Sequence, residues 1–198
     1  MSGLWNKGTH CTQHIILAVL SMTLLVQTTG CGPVDPLADP ANWVAIDAPS
    51  HGFSALFPRK FKQNEIRTVP QETADGIVIH HIYGQSGVAF YYSVSCAKFP
   101  GASVMHAHPG DTLKKAVDDL VKNYHADVLQ EYQVYRNGFP GRYVKADIPK
   151  EKLGLNNNNR LHSMVFLRGN YLYRVTAVGL GNEPQVKTFF DAFQLKTL

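Results

Sequence analysis

Histidine and cysteine have the widest chemical range in this chain, and two of its nine histidines stand one residue apart in His106-Ala107-His108. On an extended segment such residues point to the same side, so their imidazoles could share a divalent metal. His80, His81, His125 and His162 are the candidates to complete that set. The segment runs at once into Pro109-Gly110-Asp111, where a helix is expected to begin, whereas a strand-borne metal site needs the strand to continue and bring an acidic ligand. Cys96 ends the strand-like run Val88 to Cys96 and reads as a small buried apolar residue. A catalytic thiolate would need a neighbouring histidine and positive surroundings. Gly52-Phe53-Ser54-Ala55-Leu56 lacks the second glycine of a nucleophile elbow. No phosphate-binding or dinucleotide fingerprint occurs, and no cofactor is expected. Asp118, Asp119 and Glu131 could be paired as glycosidase carboxylates, but the first two fall on an outward helix face where solvation accounts for them. Tyr91, Tyr92, Tyr171 and Tyr173 read as strand aromatics packed under a helix rather than as a ligand groove. No residue is assigned a catalytic role.

Cys31 has a different setting. Lys7, His10 and His14 precede the apolar run Ile15 to Val26. That run matches the roughly 7–15 residues of a signal-peptide core and falls short of the roughly 20 needed to span a bilayer. Residues 1–30 are therefore read as an export signal. The small residues of Thr29-Gly30-Cys31 resemble the bacterial lipobox, although Thr28 stands where that pattern has leucine or a similar aliphatic residue. The resemblance implies cleavage before Cys31 and diacylation of it, and Gly32 after the cysteine implies an outer-membrane address facing the periplasm. Thr28-Thr29-Gly30 also reads as the small-residue site of the ordinary signal peptidase, which leaves simple secretion as the alternative. Cys11 departs with the signal, so an acylated Cys31 leaves Cys96 without a disulfide partner. Two or three acyl chains anchor a protein without any transmembrane helix.

Secondary-structure elements along the chain have to position these residues. With 198 residues, 44% hydrophobic and 17% charged, the chain can bury one core. The net charge of +4 is spread among acids, as in Lys114-Lys115 followed by Asp118-Asp119, which argues against a nucleic-acid surface. Residues 31–42, with Pro33, Pro36 and Pro40, read as a tether, and residues 43–198 as a single domain. Strands are expected at 43–47, 53–57, 65–69, 77–83, 88–98, 128–135, 141–148, 161–167 and 171–178, with turns at 84–87, Asn137-Gly138 and Gly169-Asn170. An amphipathic helix is expected from an Asp111 cap, burying Leu113, Ala116, Val117, Leu120, Val121 and Tyr124. A final helix is expected after an Asn182 cap, burying Val186, Phe189, Phe190 and Phe193. Strands, a helix, more strands and a helix make an α+β fold, an antiparallel sheet with flanking helices.

Three stretches carry a wider resemblance: Ala48 to Pro58, Gly138-Phe139-Pro140-Gly141, and Arg168 to Val175 followed by Phe189 to Phe193. Together they resemble PsbP/Mog1-like domains of small exported proteins. That resemblance implies a central antiparallel sheet and an accessory or assembly role, and no functional residue is carried over from it. The expected function is that of a non-enzymatic envelope lipoprotein that binds a protein partner. The alternative is a periplasmic metal or small-ligand binder using His106 and His108.

Overall fold

Alternation of apolar and polar side chains decides which face of a strand is buried. In Phe53-Ser54-Ala55-Leu56-Phe57 it buries Phe53, Ala55 and Phe57 and leaves Ser54 and Leu56 half-buried. The computed structural model describes residues 39–62, 65–73, 76–87, 90–100, 108–150, 159–179 and 183–196. In chain order the elements are β1 (Val44–Ala48), β2 (Phe53–Phe57), β3 (Ile66–Thr73), β4 (Gly76–Ser86), β5 (Phe90–Lys98), α1 (Pro109–Tyr124), β6 (Asp127–Arg136), β7 (Phe139–Ile148), β8 (Asn159–Arg168), β9 (Tyr171–Gly179), α2 (Glu183–Ala192) and β10 (Gln194–Leu195). Described residues from Asp39 onward fall in one compact unit.

Seven strands form one antiparallel sheet in the order β3-β4-β5-β9-β8-β7-β6. The chain lays down β3, β4 and β5, crosses by α1 to the far edge, and returns through β6 to β9 until β9 pairs with β5. β1, β2 and β10 make a separate three-stranded sheet. One face of the large sheet carries Tyr92, Val94, Cys96, Phe166, Tyr173 and Val175, which pack with Phe53 and Phe57 of β2 and Phe189 and Phe190 of α2. The other face carries Val144, Ile148, Leu161 and Val165 beneath the Leu113, Ala116, Val117 and Leu120 stripe of α1. Complete burial of a Phe or Leu side chain contributes about 1.5–3 kcal/mol, so these two cores account for the docking of both helices. Ten strands against two helices, among the described residues, make the architecture more strand-rich than an even α+β reading implies.

Two glycines show how local chemistry sets this geometry. Asn137 and Gly138 have φ of 51° and 81°, the left-handed pair that a two-residue hairpin requires, and they join β6 to β7 as the sequence predicts. Gly141 lies opposite Phe166, and a Cβ there would come within 2.6 Å of the Val165 carbonyl oxygen. Only glycine lets the Phe166 ring lie over that strand.

Two expectations are corrected and one element is added. The cap of α1 is His108, not Asp111: its Nδ1 accepts the Gly110 N–H at 3.2 Å, and Pro109 needs no partner in the first turn. Asp111 stands inside that turn, where its charge complements the helix dipole. Gly84-Gln85, read as a turn, continues β4, because Gln85 is fully buried and its side-chain amide donates to the Arg59 carbonyl. The two-residue β10 has no sequence signal, since its place is set by pairing with β2. Asn182 and the signal, tether and lipid assignments on residues 1–38 lie outside the described residues.

Candidate functional site

The stripe that docks α1 covers the β7–β8 half of the sheet and leaves one flank of the helix facing β4 and β9. Between them runs a groove of about 710 Å³. Thr112, Lys115, Asp119 and Lys122 line its helical side; Val78, His80, Leu172 and Arg174 line its sheet side, and Gln71 and Thr73 of β3 and Phe99 complete the lining. The strand register places Arg174 between Ser95 and Val165. Burial pulls its guanidinium below the ordinary range, against the opposing fields of Tyr124 and Asp119. Asp119, whose charge acts on Arg174, accepts from Lys115 Nζ at 2.8 Å. No ion pair within 4.0 Å involves Arg174 among the described residues. Its buried Nε and the buried Nε2 of His80 have no hydrogen-bond partner among those residues. Burial, then the Arg174 charge, then His81 hold His80 below its usual pKa, which favours the neutral ring. Asp119, expected on an outward face, stands at the rim of this groove.

The period of two sends His81 to the opposite face from His80. There it meets His51, with ring centroids 4.1 Å apart, while His51 Nδ1 lies 2.9 Å from the Tyr83 hydroxyl and His81 Nδ1 lies 3.2 Å from Thr68 Oγ1. Burial first and His81 second lower the His51 pKa. His51 carries no sequence signal, because it sits in the Pro49–His51 turn and only the tertiary fold sets it against His81 of β4.

The remaining candidates are dispersed. His125 ends α1 in a left-handed conformation with φ of 51°. His162 is buried and its Nδ1 lies 2.8 Å from the Tyr143 hydroxyl. His106 lies outside the described residues, and His108 uses Nδ1 to cap α1. Among the described residues no three His, Cys, Asp or Glu side chains converge as metal ligands. Cys96 is buried, and burial pushes its thiol up to about 11, the property of an inert packing residue. Tyr92 and Tyr173 are core residues and Tyr91 and Tyr171 are half-buried. Glu131 is bound to Arg142 at 2.7 Å.

The sheet edges differ from one another. β3 carries Pro70 and Arg67, which blunt an edge. β6 presents Val128, Leu129, Tyr132 and Tyr135, the two tyrosines 50% and 70% exposed. A bulge between Val128 and Gln130 leaves Gln130 to Arg136 as its regular stretch.

No family model matches this chain. No curated protein matches it either. Among solved structures it is similar to cyanobacterial PsbP from Synechocystis, with 11% identity, 85% of this chain and 98% of that chain covered, and a TM-score of 0.49. A Bacteroides thetaiotaomicron protein shows 12% identity over 77% of this chain and 48% of that chain, with a TM-score of 0.41. A Pseudomonas aeruginosa protein of unknown function shows 11% identity over 76% and 90%, with a TM-score of 0.37. No residue role is taken from any of the three.

Proposed function

We propose that this chain is a non-enzymatic accessory protein of the bacterial envelope, exported by residues 1–30, anchored through lipid on Cys31 and engaged with a protein partner along β6. The anchor is motivated by the apolar run Ile15 to Val26 followed by Thr29-Gly30-Cys31. No helix among the described residues is long and apolar enough to cross a membrane. The partner surface is motivated by one observation above others: β6 is a terminal strand with a regular stretch, Gln130 to Arg136, and two exposed tyrosines. Its outer backbone groups have no strand neighbour in the sheet, and an extended segment of a partner would satisfy them by strand addition.

Mass analysis of the mature N-terminus tests the anchor. The expected first residue is a diacylated Cys31; an N-terminus with an unmodified Cys31 thiol would leave secretion in its place. For the partner surface, a photocrosslinker installed at Gln133 in the membrane-held protein should capture one species. A crosslinker at Lys187, on the outer side of α2, should capture none. Tyr135→Lys, which places a charge on an exposed edge position, should abolish the Gln133 product. Persistence of that product in the variant would remove β6 as the docking strand.

A further inference from the structure

The groove beneath α1 combines apolar walls with a buried cationic side chain. Its walls at Val78, Phe99 and Leu172 are apolar, while Arg174 brings a permanent charge among them with its Nε buried and unpartnered among the described residues. A guanidinium in such a place is expensive unless an anion compensates it, and Asp119 is already held by Lys115. Lys122 adds positive charge at the rim, while the charges of Lys115 and Asp119 offset each other. A volume of about 710 Å³ lies in the range that houses small organic molecules. Inorganic ions would leave the apolar walls uncovered, and a neutral molecule would leave Arg174 unpaired.

We infer that this groove binds a small amphipathic carboxylate, its head on Arg174 Nε with His80 Nε2 beside it and its apolar body along Val78, Leu172 and Phe99. The site is separate from the β6 edge and stands whether or not that edge takes a partner. His80 fits the role as a neutral ring whose Nε2 donates to the same head. Lys122 steers the anion from the rim without touching its body.

2-Naphthoate is a suitable probe, compared by calorimetry on the full chain with 2-naphthylmethanol, whose apolar part partitions alike, and with acetate, which has the head alone. Saturable binding is expected for 2-naphthoate only, together with a downfield shift of the Arg174 Nε–H resonance. Arg174→Gln should weaken binding by about ten- to a hundredfold, the range for loss of one charge-assisted hydrogen bond. Because Arg174 lies within the sheet, Lys122→Gln serves as a second variant: it is exposed and should weaken binding by about two- to threefold at low salt, with the circular dichroism unchanged. Equal binding of the alcohol, equal binding of acetate, or an unmoved Nε–H resonance at saturation would each overturn the assignment.

Discussion

Replacing Phe189 by alanine is expected to lower the unfolding free energy by about 3–5 kcal/mol, the usual cost of truncating a large buried aromatic side chain. Phe189 is fully buried. Its ring centroid lies 5.0 Å from that of Tyr92 on β5, 5.3 Å from Phe57 on β2 and 6.5 Å from Trp43. One side chain therefore joins α2, the small sheet and the large sheet, and no single neighbour can close the gap it would leave. Urea denaturation followed by tryptophan fluorescence should show a lower midpoint with an unchanged slope. A shift below about 1 kcal/mol would mean that the three layers are held chiefly by other contacts.

Acidification should destabilise the protein through His162 before its carboxylates titrate. Burial lowers the pKa of this imidazole from 6.5 to about 4, with Lys145 and Arg160 adding to the effect and Glu183 opposing it. Between those two values the unfolded chain binds a proton that the folded chain does not. Stability is therefore fully present above pH 6.5 and falls as the pH drops through about 4. The loss is at most about 3 kcal/mol, and nearer 2 once screening by the neighbouring charged side chains is allowed for. His162→Gln keeps an acceptor for the Tyr143 hydroxyl and cannot titrate. Its stability should fall less steeply than that of the wild type across this window by about one proton. Parallel curves for the two proteins would show that His162 is protonated in the fold.

Where side chains themselves carried the information, the sequence was readable. The three- and four-residue spacing of Leu113, Ala116, Val117 and Leu120 located α1 and the face it buries, and Asn137-Gly138 located a hairpin because few other pairs tolerate its backbone. Phe189 and Phe190 are buried as their spacing predicts, whereas Phe193, expected on the same helix, is buried just past its end. What failed was set by partners distant in sequence. β10 exists because β2 is there to receive it, and Gln85 stays in a strand because the Arg59 carbonyl accepts from it. The same limit applied to the site. Arg174 sits in the run Tyr171 to Val178 like any polar residue of an alternating strand, and nothing local indicates that α1 passes over it. His80 and His81 look like a pair in sequence, yet the strand sends them to opposite faces, and His81 finds His51 instead.

The closure of the large sheet has a consequence for how the chain reaches its fold. β5 lies against β9, so Phe90 faces Gly179 and Lys98 faces Tyr171. The meander β6 to β9 needs only pairings between strands consecutive in sequence and can assemble as a local unit. The β3-β4-β5 meander is synthesised first, but β5, paired with β4 on one side, has no partner for its other edge until β9 has been made. During that interval the inner edge of β5, with Tyr92, Val94 and Cys96 along it, is an open template for other strands. Pairing across so long a separation is slow by loop-closure entropy. The rate-limiting step expected for this domain is the zippering of β5 to β9, and the hazard it carries is intermolecular pairing of half-made chains.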